Sequence, residues 1–310
     1  MPQAKDMHID VPLSNLAIQL GSGGGFVADT VFPVLPVQKE SDKYYIFERE
    51  EIDDDVQTLR ADGAEANEIE WSTTTDTYSA EEYALRHLVT KRTLDNADTP
   101  LRPKQTTTRK LLGKLRVGIE KRVNALLDNT TTFEDDTPSV KWDAGASVVI
   151  EENVDDAKLA FVKQCGHEPT HIIIPKAVSK VVKRDSTVRE LIKYTQSNLL
   201  VNGDLPPTLW NMNVVIPGSL QNEAAPGLTE SIDFIWDGDN VILVYVDPNP
   251  GLETCSVGYQ FRKAQEGNLD IAVTTYLVPN RKGEMVEVSV INDEKVVCTE
   301  CGYIISDVLT

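Results

Sequence analysis

The sequence predicts an α+β protein, with one long helix packed on sheet and a long hairpin projecting from it. Three observations carry this. Leu111, Leu112, Leu115, Ile119, Val123, Leu126 and Leu127 recur at three- and four-residue spacing, the period of a helix that buries one face. Beyond residue 200 the chain is mainly short β-branched and aromatic runs between turn residues, which read as strands. Between two strand-like stretches near 44–47 and 83–87 lies an acidic segment too poor in apolar residues to supply its own core.

The first forty residues read as an arm. Pro2, Pro12, Pro33 and Pro36 and the cluster Gly21, Gly23, Gly24 and Gly25 prevent one regular element. Val11 to Leu20 reads as a short helix, with Ser14 or Asn15 as its N-cap. Phe26, Val27, Val31, Phe32, Val34, Leu35 and Val37 still need burial. An extended, proline-broken arm of this kind is expected to bury them against another surface, often another chain.

Tyr44 to Phe47 is a predicted strand. Glu48, Glu50, Glu51, Asp53, Asp54, Asp55, Asp62, Glu65, Glu68 and Glu70 then face only Arg49 and Arg60. Alternation returns in Ile69, Trp71, Thr73 and Thr75 and in Tyr83, Leu85 and His87, so the whole reads as a long hairpin with an acidic tip. The long helix is predicted over about Pro103 to Asp128, roughly 35 Å at 1.5 Å per residue. Arg109, Lys110, Lys114, Lys121 and Arg122 form its polar face, and Asn129 is its stop. A helix near Val154 to Gln164 ends at Gly166, and a buried strand His171 to Ile174 ends at Pro175. Short helices follow near Ala177 to Lys183 and Thr187 to Tyr194. Predicted strands are Asn213 to Ile216, Ile232 to Ile235, Val241 to Val246, Tyr259 to Arg262, Leu269 to Leu277, Met285 to Val290 and Tyr303 to Val308. No internal repeat is evident.

Composition excludes several function classes. At 310 residues, 41% hydrophobic and 25% charged, the chain can bury a full core. Its net charge of −19, from 49 acids against 30 bases, opposes coating of phosphate backbones and adhesion to anionic lipid. No apolar run approaches the roughly 20 residues of a membrane span; the longest is Val241 to Val246. Asp6, His8 and Asp10 interrupt the N-terminus where a signal peptide would be apolar, so synthesis in the cytoplasm is expected. Four cysteines are too few for a disulfide framework in this length.

Several short segments carry a resemblance. Phe26-Val27-Ala28-Asp29-Thr30-Val31-Phe32-Pro33-Val34 and Lys43-Tyr44-Tyr45-Ile46-Phe47 resemble the N-terminal arm and ensuing strand of tailed-bacteriophage major capsid proteins. Arg60-Ala61-Asp62-Gly63-Ala64-Glu65-Ala66-Asn67 is similar to the tip of that family's extended loop. Trp236-Asp237-Gly238-Asp239-Asn240-Val241-Ile242-Leu243 and Gly302-Tyr303-Ile304-Ile305 resemble an axial-domain strand and the C-terminal strand. The order of elements matches over almost the whole chain. The resemblance implies the Hong Kong 97-like capsid fold: an N-terminal arm (1–39), an extended loop hairpin (40–90), a peripheral domain (91–175 and 250–310) with the spine helix at about 103–128, and an axial domain (176–249). It implies a virion shell protein, made in the host cytoplasm, whose hexamers and pentamers form an icosahedral head around double-stranded DNA without sequence-specific binding. A separate scaffolding protein, a portal and a decoration protein are the implied partners. A cellular nanocompartment shell of the same fold, an encapsulin-like protein, is the alternative. Phe26, Val31, Phe32, Glu51, Asp53, Asp54, Asp55, Arg60, Glu65, Arg109, Lys110 and Lys114 are then the expected intersubunit contacts. Some members cross-link a loop lysine to an asparagine of a neighbour. Here no lysine occurs between Lys43 and Lys91, so that chemistry is not carried over.

Catalytic patterns are not found, and no enzyme activity or cofactor is expected. The glycine run Gly21 to Gly25 lacks the Gly-Lys-Ser/Thr end of a phosphate loop. His8, His87, His167 and His171 have no triad spacing. The acidic stretch Glu48 to Asp55 does not follow the calcium-loop pattern, so a solvated face is preferred to a cation site; pairing with the basic helix of a neighbour is the third and sharper reading. Cys298-Thr299-Glu300-Cys301-Gly302 has half of a zinc-ribbon spacing. A closed site needs two more ligands, for which His167, His171, Cys165 and Cys255 are the options. The plainer reading, a tight turn that happens to hold two thiols, is preferred, and no metal is expected.

Overall fold

The computed structural model describes residues 8–9, 25–46, 59–60, 65, 74–97, 102–145, 149–195, 205–222, 224, 229–251, 254–265 and 270–310. The first half runs β1 (His8–Ile9), α1 (Ala28–Val31), β2 (Val34–Val37), β3 (Ser41–Ile46), β4 (Thr74–Ser79), β5 (Glu81–Thr90), α2 (Lys91–Asp95), α3 (Pro103–Leu127) and β6 (Glu134–Asp136). Next come α4 (Ile150–Cys165), β7 (His171–Ile173), α5 (Lys176–Val182), α6 (Ser186–Thr195), β8 (Thr208–Leu209), β9 (Met212–Val215), β10 (Leu220–Asn222) and β11 (Ile232–Phe234). β12 (Val241–Val244), β13 (Gly258–Lys263), β14 (Ala272–Val278), β15 (Gly283–Val296) and β16 (Gly302–Ile305) complete the chain.

Two six-stranded sheets organise it. The first has the order β1-β14-β15-β13-β2, with β5 on the other edge of β15. β15 is long enough to pair β14 over Gly283 to Ser289 and then β13 over Asn292 to Val296. The second sheet has the order β6-β16-β12-β7-β9-β8. Its centre is the fully buried run Val241 to Val244. Trp210 and Asn211, both at positive φ (51° and 63°), make the two-residue turn joining β8 to β9, the backbone a tight right-twisted hairpin requires.

The long helix forms as its periodicity predicts, from Pro103 at its first turn to Leu127; proline fits there because its missing N–H would be unpaired anyway. Its length lets it serve both sheets. Leu111, Leu112 and Leu115 pack with Val273, Val286, Val288 and Val290 of the first sheet. Ile119, Val123 and Leu127 pack into the core around the second, with Phe161, Ile172, Leu243 and Ile304. α4 ends at Gly166, whose φ of 74° supplies the left-handed cap. Among the described residues no helix is long and apolar enough to cross a membrane.

The second sheet draws on both expected domains, taking β6, β7 and β16 from 91–175 and 250–310 and β8, β9 and β12 from 176–249. A strand buried on both faces, such as β12, needs partners on both edges. It finds them in His171–Ile173 and Gly302–Ile305, far away in sequence. Within 1–39 the chain forms α1 and β2, and β2 pairs in parallel with β13 from Gln260 to Lys263. The helix expected over Val11 to Leu20 lies outside the described residues.

Candidate functional site

β3 and β4 form a two-stranded ribbon that pairs with neither large sheet. Among its described residues Tyr44, Tyr78 and part of Ile46 pack on the core. Tyr44 and Tyr78 lie on Phe261, with ring centroids 5.1 and 4.6 Å away. The Tyr44 hydroxyl donates to Asp76 at 3.1 Å, and the Ser79 N–H donates to Asp293 at 2.9 Å. Burial, and then the Asp76 carboxylate, push the Tyr44 hydroxyl well above its ordinary pKa. Elsewhere the ribbon is open: Ser41, Asp42, Lys43, Tyr45 and Thr74 to Thr77 are exposed. Arg60 and Glu65 are exposed in the segment between its strands, while Glu51, Asp53, Asp54 and Asp55 lie outside the described residues.

The polar face of α3 divides in two. Arg109, Lys110, Lys114 and Lys121 are exposed. Arg122 instead turns inward across the first sheet. Its Nε and Nη2 donate to Glu294 at 2.8 Å each, and its guanidinium lies 3.9 Å above the Tyr83 ring. Glu294 is buried, so this fork neutralises a carboxylate inside the fold.

Glu120, on the same helix, carries the arm. It is wholly buried. Its carboxyl oxygens accept from the backbone N–H of Val27 (3.1 Å) and Ala28 (3.0 Å) and from Trp236 Nε1 (2.8 Å). Burial pushes its pKa above the ordinary carboxylate value, while the bonds from Trp236, Val27 and Ala28 pull it back. Downstream, Gln260 Nε2 donates to the Phe32 carbonyl and to Asp29, both at 2.9 Å. Val31 and Phe32 consequently sit at 0% exposure in the chain's own core. Their expected role as intersubunit contacts is corrected: a side chain with no accessible surface cannot touch a neighbour. Phe26 is half-buried and keeps some surface. Sequence reasoning did not find Glu120, because a glutamate on an amphipathic helix reads as solvated; the one signal was its place in the apolar stripe, one residue after Ile119.

The Cys298–Cys301 turn is a 3-10 turn over Thr299–Cys301, lying between β15 and β16. The structure brings the chain's other two cysteines to it. Cys255 Sγ lies 3.1 Å and Cys165 Sγ 3.3 Å from Cys301 Sγ. The sulfurs of Cys255, Cys298 and Cys301 all lie within 4.8 Å of one another. Cys165, Cys298 and Cys301 are buried and Cys255 is half-buried. Hydrogen bonds shared with Cys255 and Cys301 pull the Cys165 and Cys298 thiols down, and the reciprocal bonds push Cys255 and Cys301 up. Neither His167 nor His171 is in the group. His167 stacks on Tyr245 with centroids 5.0 Å apart, and His171 Nδ1 is held 2.9 Å from Thr170 Oγ1.

Comparison with known proteins bears on the architecture. No family model matches the chain. The major capsid protein of Pseudomonas phage JBD67 is 24% identical over 249 residues, 77% of each chain. A crystal structure of a phage-related protein from Bordetella bronchiseptica RB50 superposes with a TM-score of 0.71 and 22% identity, over 97% of both chains. The capsid structure of cyanophage P-SCSP1u gives 0.59 at 8% identity, over 89% of this chain and 86% of that one. The chain has the Hong Kong 97-like capsid fold.

Proposed function

We propose that this chain is the major capsid protein of a phage, whose copies associate through the extended loop and the basic face of the spine helix to build the shell. The observation that carries the reading is the β3–β4 ribbon. An isolated two-stranded ribbon is marginal in water, and this one pairs with no other strand of its own chain among the described residues. A neighbouring subunit would supply the missing surface. The hairpin of β10 and β11 adds a second open face, with Leu220 51% and Ile232 63% exposed. Arg109, Lys110, Lys114 and Lys121 would meet the acidic segment around Glu51 to Asp55 of a neighbour. Exposed pairs contribute only about 0–1 kcal/mol each, but they repeat at every subunit. On this reading the copies form hexamers and pentamers around double-stranded DNA in the virion. Scaffolding protein, portal and decoration protein are the partners, and the chain catalyses no reaction of its own.

Electron microscopy of the purified protein tests this. Closed shells, tubes or rings are expected. A uniform monomer across protein concentration and ionic strength would overturn it. Particles from infected cells that enclose protein cargo in place of DNA would favour the nanocompartment shell.

A further inference from the structure

We propose that Cys165, Cys255, Cys298 and Cys301 form a tetrathiolate site for a structural zinc ion that ties the two sheets of the subunit together.

The first ground is convergence. The chain has four cysteines in 310 residues, and three separate segments gather them around Cys301: the sulfurs of Cys255, Cys298 and Cys301 lie within 4.8 Å of one another, and Cys165 Sγ lies 3.3 Å from Cys301 Sγ. Cys165 is the last residue of α4, Cys255 precedes β13, and Cys298 and Cys301 flank the turn between β15 and β16. Apolar packing alone has no need to gather every thiol of a chain. Four sulfurs from a Cys-x-x-Cys turn and two further segments are the donor set of closed structural zinc sites.

The second ground is size. With Zn–S at about 2.3 Å, a tetrahedral site has sulfurs about 3.8 Å apart. The contacts of 3.1 and 3.3 Å onto Cys301 lie within about an ångström of that edge. They are far longer than the roughly 2.05 Å of a disulfide. To admit the ion the pairs onto Cys301 would open slightly, while Cys165, which lies outside the group of three sulfurs all within 4.8 Å of one another, would move inward; each ligating thiol would release its proton to solvent.

The third ground is what surrounds the sulfurs. Gln164 Nε2 donates to the carbonyls of Glu300 and Gly302 at 2.9 Å each, which clamps the turn onto the end of α4. Phe133 closes the other side: a Cβ on Gly302 would come within 2.5 Å of its ring. The turn is thus held from outside the cysteine cluster, as a rigid site requires.

An ion here would join the end of α4, which packs with the second sheet, to the exit of β15 in the first. It would cross-link positions 165 and 298, and the closed loop is long enough for the constraint to stabilise the fold substantially.

The test uses the full-length protein purified without chelator. Metal content by plasma mass spectrometry is expected at about one zinc per chain. Replacement by cobalt should produce sulfur-to-cobalt charge-transfer absorption and the intense visible bands of a tetrahedral thiolate site. Cys255→Ser, at the half-buried ligand, should lower zinc content at least about tenfold and lower the melting temperature. Zinc below about one-tenth equivalent, with four titratable thiols in the denatured protein, would overturn the proposal. So would a mass lower by about 2 Da, which marks a disulfide. The cobalt spectrum of the parent protein decides the matter if Cys255→Ser does not fold. Shell formation is read separately by microscopy, so loss of the zinc site and loss of the coat reading are distinct results.

Discussion

Replacing Glu120 with alanine tests how the arm is held. The substitution leaves four buried donors, the N–H groups of Val27 and Ala28, Trp236 Nε1 and, at 3.5 Å, the Ser219 hydroxyl, without their acceptor. A buried donor left unpaired costs about 1–3 kcal/mol. Some relief comes from water entering the space of the lost side chain, so the expected loss is about 3–6 kcal/mol and not the full sum. The assay is urea unfolding of the unassembled protein, followed by tryptophan fluorescence. Hydrogen exchange at Val27 and Ala28 runs alongside it and should accelerate before global unfolding. Glu120→Gln keeps the shape but turns an amide N–H toward a donor, so it should lose about 1–3 kcal/mol and serves if the alanine variant does not fold. The pH dependence has a definite sign. Because the native carboxyl titrates above its ordinary value of 4.5, the native state keeps this proton after the unfolded chain has lost it. Stability from this group is full below 4.5 and is lost as pH rises through the native value. Asp42, Asp143 and Asp307, held below 3.8, act in the opposite sense and at lower pH. Glu120→Gln should remove the falling limb above 4.5 and leave the acid limb. An alanine variant within about 0.5 kcal/mol of the parent would refute the clamp, since unpaired buried donors cannot be that cheap.

Phe32→Ala should destabilise the unassembled subunit by about 3–5 kcal/mol in the same urea assay, because Phe32 lies wholly in its own chain's core; an effect on assembly alone would restore the intersubunit reading. Arg122→Ala strips Glu294 of its bidentate partner and should cost about 2–4 kcal/mol. Arg122→Lys should recover only part of that, since lysine cannot make the fork, and full recovery in thermal melts would argue against it. Reversing Asp53, Asp54 and Asp55 to lysine should weaken assembly at low salt and flatten its salt dependence in light scattering. Unchanged assembly at every ionic strength would refute docking of the acidic segment on the spine helix.

Periodicity made α3 and α4 legible, because a helix that buries one face repeats its apolar residues every three or four positions. The strands at His171, Val241, Tyr259 and Tyr303 were legible for a related reason: buried β-branched runs have few other uses. Short segments whose regularity depends on a distant partner were not legible. β2 is a strand only because β13 lies beside it, and β6 only because β16 does.

The extended loop and arm stood out in the sequence as segments with too little core or too many breakers to fold alone. For the β3–β4 ribbon the fold leaves much of that shortage standing, since among the described residues Tyr44, Tyr78 and part of Ile46 are what it packs on the core, with one hydrogen bond from Ser79 to Asp293. For the arm the structure reverses the conclusion: Val31 and Phe32 find their burial within the chain, under the buried Glu120. The cysteines divide the same way. A Cys-x-x-Cys pair is visible at positions 298 and 301, because a turn that presents two thiols needs only local spacing. That Cys165 and Cys255 complete the cluster was decided by the packing of α4 against the β15–β16 turn. Long-range contacts of this kind leave no periodic trace along the chain. Sequence alone therefore determined helices α3 to α6, the main strands and the hunger of two segments for a partner, and tertiary packing decided which partner each one met.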